Sequence, residues 1–251
     1  MEKAGDPAKQ LTQDYEARVQ SVYESLLEPG DVAIDVGAHL GRHLIPMGRR
    51  VAPTGRVLAF EPLTFCREAL ALRFEEELAD LRPLVTVYGC ALGDASGATE
   101  FVVARDAMAY SGLQERVYDV PTAVERIPIE VRRLDEFTRD LDSLGYVKID
   151  AEGGELHILR GASRTLARFR PVVTFEFGAN SIGNYDVTVG EMADFWSGRD
   201  YRLYDILGRS LPTREAFAES ATAQQVWDYV ALPDEAASLR RRVLAQLRSS
   251  P

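Results

Sequence analysis

The sequence predicts an α/β domain built on an open, mostly parallel seven-stranded sheet with helices on both faces. Three observations lead there. Apolar runs that end in an acid or a glycine turn recur along the chain, as in VAIDVG from 32, RVLAFEP from 56 and YVKID from 146. A stretch with helical spacing follows each of them, and strand alternating with helix is the order that builds parallel sheets. A chain of 251 residues also has the length to bury a large core in one domain.

Taken in order, Leu11, Tyr15, Val19, Val22 and Leu26 recur at steps of four and three, which places them on one face of a helix ending before Pro29-Gly30. Residues 1–30 therefore read as a helical cap, and its apolar face as a cover for the core or a homodimer surface. Val32 to Ile34 is a strand that meets Asp35 and a glycine loop, and Gly41 to Arg50 is helical despite Pro46. Gly55 turns the chain into RVLAFEP, which ends in Glu61-Pro62 before a helix over 63–80 with Phe65, Leu70 and Phe74 facing inward.

Pro83 precedes the third strand, LVTVYGCALGD, and TEFVVA (99–104) and IPIEVRRLDEF (127–137) alternate as strands do. The polar stretch between them is an insertion at about 105–126, of the kind that overhangs a binding crevice. YVKID is the fourth core strand, ELHILRGASRTL its helix, and PVVTFEF the fifth strand. YRLYDI (201–206) and QVWDYVALP (225–233) supply two more, closing one edge as an antiparallel pair. The domain then runs over 31–235. The tail, 236–251, reads as a solvated helix.

Charge and composition remove several classes of function. With 39 acids against 29 bases the net charge is −10, the wrong sign for holding nucleic acid through its phosphates. Cys66 and Cys90 lack any zinc-like or disulfide spacing, which suits a reduced, cytoplasmic protein. The charged start MEKAGDPAKQ is not a secretory signal, and no stretch reaches the ~18 apolar residues of a membrane span.

In an open α/β sheet, ligands sit at the carboxyl ends of the strands. Asp35, Glu61, the Gly89-Cys90-Ala91 stretch, Asp150 and Glu176 all fall at such ends. A dinucleotide loop wants GxGxxG and no nearby anion, because bare backbone must cradle a pyrophosphate. Here Gly37 and Gly41 flank His39, and Asp35 stands just ahead. An acid there suits a cation, and S-adenosylmethionine presents an ammonium and a sulfonium. Glu61, 24 residues after Gly37, is placed to accept ribose hydroxyls. The plainer alternative makes Asp35 a turn cap and Glu61 a helix-preceding acid. A nucleotide-dependent oxidoreductase and a non-catalytic cofactor-binding module are the functional competitors.

With these pieces in place the chain resembles the FkbM-type S-adenosylmethionine-dependent methyltransferases, which have the class I Rossmann-like fold. AIDVGAHLG (33–41), GRVLAFEP (55–62), VTVYGCALGD (85–94), RLDEF (133–137) and above all YVKIDAEGGELHILRGA (146–162) carry the resemblance. It implies that Asp35, Gly37, Ala38, His39 and Gly41 line the methionine end of the cofactor, together with Asp150. By the same resemblance Glu61 and Pro62 lie at the ribose, and Cys90, Ala91 and Leu92 pass beside adenine. It also implies an oxygen acceptor, a hydroxyl of a small molecule such as a sugar, a glycoside or a natural product.

A hydroxyl acceptor must lose its proton, and KIDAEGGE offers Asp150, Glu152 and Glu155 as base, metal ligands or polar hooks. Glu155 would suit a first helical turn whatever the function. Glu176 lies opposite Asp150 if their strands are neighbours, yet two carboxylates without a clear third ligand assign no metal. His39 reads as a cofactor-loop contact, and His43 and His157 as satisfied histidines on helices. Tyr110 and Ser111, with Asp106, are acceptor contacts if the insertion overhangs the crevice, as is Glu176; Asn180 and Tyr185 are weaker candidates.

Overall fold

In the computed structural model, which describes residues 7–104, 111–114, 122–179, 181–183 and 185–249 and only the backbone of 7–14, Val32–Val36 forms β1 inside an eight-stranded sheet. Ala33 and Ile34 are fully buried, because helices cover both faces of an inner parallel strand. Each apolar side chain so buried contributes about 1.5–3 kcal/mol.

The chain before β1 is α1 (Pro7–Leu26), and after it come α2 (Leu44–Val51), β2 (Arg56–Phe60), α3 (Thr64–Glu76) and β3 (Val85–Tyr88). Pro46 sits in the first turn of α2, where backbone N–H groups have no intrahelical partner, so the helix accommodates it. Leu70 and Phe74 of α3 are buried as expected, but Phe65 is not: it is 42% exposed on the opposite side of the helix. β4 (Ala91–Leu92), β5 (Gly97–Ala104) and β6 (Val124–Arg132) then leave the main sheet and form a second one, ordered β4-β6-β5, with β5 and β6 antiparallel.

β7 (Tyr146–Ile149), α4 (Glu155–Gly161), α5 (Ser163–Phe169) and β8 (Val172–Glu176) return to the main sheet. The single helix expected after β7 is broken at Ala162. Gly161 is the reason in part: a Cβ there would lie 2.0 Å from the Gly93 carbonyl, so the β4 turn presses on this point. Ser163 Oγ also donates to the Arg160 carbonyl, a local bond that competes with helix continuation.

The remaining elements are α6 (Val189–Ser197), β9 (Tyr201–Asp205), β10 (Ser210–Leu211), α7 (Arg214–Ala223), β11 (Asp228–Pro233) and α8 (Ala237–Ser249). The main sheet runs β10-β9-β11-β8-β7-β1-β2-β3. Five strands, β3 to β8 in that order, are parallel; β11 is antiparallel to both β8 and β9. The expected seven-stranded, mostly parallel sheet is therefore a mixed sheet of eight, the extra strand being the two-residue β10.

The tail is not a merely solvated helix. Val243 and Leu247 of α8 are fully buried, α8 packs along α1, and Arg18 Nη1 donates to the Leu247 carbonyl at 2.8 Å. Tyr15, Val19, Val22 and Leu26 on the apolar face of α1 are likewise buried within the chain. Among the described residues no helix is long and apolar enough to cross a membrane.

Candidate functional site

The strand order places a carboxyl group at each of five neighbouring positions along one edge of the sheet. Asp228 opens β11, Glu176 ends β8, Asp150 follows β7, Asp35 lies in β1 and Glu61 follows β2. β11 runs antiparallel, which is why its first residue meets the carboxyl ends of the others; Asp228 pairs with Glu176 in the register. All five line one cavity of about 660 Å3, a usual size for a small-molecule site.

At the β1 end, Gly37 takes φ +78° and its amide donates to the Phe60 carbonyl at 3.0 Å. A Cβ at Gly37 would lie 1.9 Å from the Asp150 carbonyl oxygen, so only glycine lets the loop pass the β7 end. His39 holds φ +45°, a conformation a non-glycine residue rarely adopts. Glu61 supports it: Oε2 accepts the His39 N–H at 2.7 Å and Oε1 accepts the Leu63 N–H at 2.8 Å. Burial nevertheless raises the Glu61 carboxyl, outweighing those two bonds. Glu61 thus braces the loop, and each oxygen keeps a lone pair for a ligand.

Ala38, His39, Pro62, Cys90, Ala91 and Leu92 line the cavity as expected. Gly41 does not; with φ +86° it turns the chain against Leu70 and Ile45 instead. Ser111 lines it too, buried, its Oγ accepting the Ala104 N–H at 3.1 Å. Asp106, Tyr110 and Asn180 lie outside the described residues.

Asp35 is 1% exposed and neither of its oxygens has a hydrogen-bond donor. Its near neighbour is Lys148, whose Nζ lies 3.6 Å from Asp35 Oδ1 and 3.2 Å from Asp150 Oδ2. Burial disfavours charge on this lysine, but the two acids prevail and hold it protonated. Burial works against the Asp150 charge as well; Lys148 overcomes it and keeps that carboxyl below the usual range. Glu176 is driven the other way, well above its ordinary value, by burial and by the charges of Asp150 and Asp228. Asp228 is pushed up to about 8 by burial and then by Asp150 and Glu16.

One oxygen each from Asp150, Glu152 and Glu176 lies within 4.8 Å of the others, so Glu152, already a candidate from the KIDAEGGE run, is the third group beside Asp150 and Glu176. The three could hold a divalent cation. Glu152 takes φ +56°, which turns it toward this cluster beside Gly153 at φ +107°. Glu155 stands apart from the cavity lining: its Oε1 accepts the Ala151 and Gly153 N–H groups at 2.9 and 3.1 Å, and burial lifts its carboxyl to about 7. It is a brace for the loop that carries Glu152, not a group that faces a ligand.

α1 also reaches the cavity. Tyr15 and Glu16 line it, and Glu16 Oε2 lies 2.5 Å from His43 Nε2, while the Tyr23 hydroxyl is 3.2 Å from His43 Nδ1. Burial opposes the Glu16 charge, but the His43 bond lowers its carboxyl all the same. His43 is indeed a satisfied histidine, and what it satisfies is a wall of the cavity.

The family model for the methyltransferase FkbM domain matches residues 35–203. The chain belongs to this family. Among curated relatives, "AMB antimetabolite synthetase AmbE" from Pseudomonas aeruginosa is 28% identical over 183 residues, 59% of this chain but 8% of that protein. "Methyltransferase sdnD" from Sordaria araneosa is 26% identical over 157 residues, 51% of this chain and 59% of that one. The chain thus spans less than two thirds of either relative. Its fold is that of the methyltransferase FkbM from Methylobacillus flagellatus KT, at TM-score 0.50 and 17% identity over 88% of this chain and 59% of that chain. A putative rRNA-methylase from Clostridium thermocellum shares the fold at TM-score 0.50 and 9% identity, over 86% and 92% of the two chains.

The FkbM match begins at Asp35 and stops before α7. Tyr15, Glu16, Gln224, Trp227 and Asp228 line the cavity from outside it. These residues, with Lys148 and His43, are the ones sequence reasoning missed. Lys148 had a signal, a charged residue inside an apolar strand two places before an acid; the others had none, since only folding brings α1 and β11 to the strand ends.

Proposed function

We propose that the protein is a cytoplasmic S-adenosylmethionine-dependent methyltransferase that acts on a hydroxyl group of a small molecule, such as a sugar, a glycoside or a natural product. The observation that carries the proposal is Asp35, a fully buried carboxylate without a hydrogen-bond donor, facing a cavity behind a glycine loop. Such a group is stabilised by a ligand cation and would repel a pyrophosphate. S-adenosylmethionine, when bound, supplies a methyl group made electrophilic by its sulfonium.

Asp35 and the Gly37–His39 loop hold the methionine end, Glu61 the ribose, and Cys90, Ala91 and Leu92 the adenine. Asp150 faces the acceptor. Held ionised by Lys148, it would accept the hydroxyl proton as the methyl–sulfur bond gives way to the methyl–oxygen bond and S-adenosylhomocysteine is left as the neutral thioether, while the cavity walls align the reactants and exclude water. Glu152 and Glu176 orient the acceptor. The free, buried Cys66 and Cys90 are in keeping with a reducing compartment.

Calorimetry with S-adenosylhomocysteine tests the assignment. Binding at about micromolar strength is expected, and Asp35→Ala or Glu61→Ala should each remove about 2 kcal/mol or more of it. Unchanged affinity in both variants would refute the site.

A further inference from the structure

The acceptor end of the cavity has a charge and a shape of its own. Tyr15 and Trp227 stand edge to face with ring centroids 4.6 Å apart and planes at 74°. The Tyr15 hydroxyl donates to the Gln225 carbonyl at 2.7 Å, which ties α1 to the segment before β11 and sets this aromatic corner. Asp228, next to Trp227 in the chain, is paired in register with Glu176, and Asp150 follows the neighbouring strand.

Positive charge is scarce here. Lys148 is shared between Asp35 and Asp150, His43 is bonded to Glu16, and Arg42, which also lines the cavity, is exposed with its Nη1 donating to Gln20 Oε1. Among the described residues no lysine or arginine lies within ion-pair distance of Glu176 or Asp228. Asp35, 1% exposed and without a hydrogen-bond donor, lines the same cavity with the Lys148 ammonium 3.6 Å away. Carboxyls left without a cation in a half-buried site are stabilised by a ligand that brings one.

We infer that the acceptor carries a positively charged amine close to the hydroxyl that is methylated, held by Glu176 and Asp228 against the Tyr15–Trp227 corner. The inference rests on the methyltransferase reading above and adds a substrate class to it. Aromatic faces beside carboxyl groups are the usual surroundings of an organic ammonium, whereas a neutral polyol has no cation to set against the aromatic faces. A divalent ion is the weaker occupant because it would need Asp150 beside Glu152 and Glu176, and Asp150 Oδ2 already holds the Lys148 ammonium at 3.2 Å. The residues that make this choice lie partly outside the family match, so acceptor preference is a property of this chain's flanking elements.

The test is calorimetry on the full chain saturated with S-adenosylhomocysteine, using glucosamine and 2-phenylethanolamine and the N-acetyl derivative of each. At least one amine is expected to bind about tenfold more tightly than its neutral counterpart, a preference that falls below about twofold in the Glu176→Gln, Asp228→Asn double variant. Equal or tighter binding of the acetylated members, or no binding by any of the four, overturns the inference. So does tight binding of magnesium or manganese alone that the double variant abolishes, which would make the acids a metal site. S-adenosylhomocysteine affinity and melting temperature of the double variant establish that it is folded and loaded. Failure of wild-type protein to bind S-adenosylhomocysteine at all would instead sink the methyltransferase reading.

Discussion

Lys148 stands directly across from Asp35 in the register of two parallel strands, and its ammonium lies 3.6 Å from the Asp35 carboxylate. The same ammonium reaches Asp150 on its own strand at 3.2 Å. One buried cation therefore lies against two acids to which the proposed chemistry assigns separate roles.

Removing that cation leaves Asp35 buried and unpaired. Lys148→Met is expected to destabilise the fold by about 3 kcal/mol, because an uncompensated buried charge costs more than the pair contributes. Urea unfolding reads the loss, and Lys148→Arg should recover part of it. A change below about 1 kcal/mol in the methionine variant would show that the fold does not depend on the Lys148 ammonium beside Asp35.

Glu61 accepts two backbone N–H groups, one on each oxygen. Glutamine can accept only one of them, since its other terminal atom is a donor. Glu61→Gln should therefore loosen the His39 loop and weaken S-adenosylhomocysteine binding about tenfold, with a smaller effect on global stability, about 1–2 kcal/mol. Calorimetry beside thermal melting separates the two effects; wild-type affinity would show that the brace has no bearing on the cofactor.

Glu155 makes stability depend on pH. Its carboxyl rises from 4.5 to about 7 in the fold, so between those values the folded protein keeps a proton that the unfolded chain has released. Stability from this group is whole below the lower value, falls as pH climbs through the interval, and is level above it. At ~1.4 kcal/mol per unit the loss is about 3 kcal/mol at most. Urea midpoints at about pH 5 and about pH 7.5 should differ in the wild type and differ less in Glu155→Gln, which mimics the protonated group. Parallel profiles would exclude Glu155 as the source.

Gly37 tests the loop's geometry. Alanine there meets the Asp150 carbonyl oxygen at 1.9 Å and is strained at φ +78°, so Gly37→Ala should cost about 3 kcal/mol and abolish cofactor-product binding. Gly97→Ala is the control, because nothing lies within 4 Å of its added Cβ. Equal melting temperatures for the two variants would contradict the packing of the loop against β7.

Much of the fold was legible because burial imposes periodicity. Val32 to Ile34, the run before Glu61, and YVKI read as inner strands since both of their faces are covered. The misreadings share a cause. Phe65 looked inward from its helix, the helix after β7 looked continuous and α8 looked solvated, and each was decided by a contact with a distant part of the chain. The site divides the same way. Asp35, Glu61, Asp150 and Glu176 were legible as strand-end acids, and the structure gathers them in one cavity; Gly41 and Glu155 had the right neighbours in sequence but face elsewhere.

The sequence by itself determined the strand–acid–helix rhythm, the family and the row of acids, because these are encoded in residues close together along the chain. Tertiary structure alone decided which acids share a cation, how Glu152 joins Asp150 and Glu176, and that Tyr15 meets Trp227. Electrostatic and aromatic interactions act over a few ångströms of space, and only the closing of α1 and β11 onto the strand ends brings residues some 200 positions apart within that range.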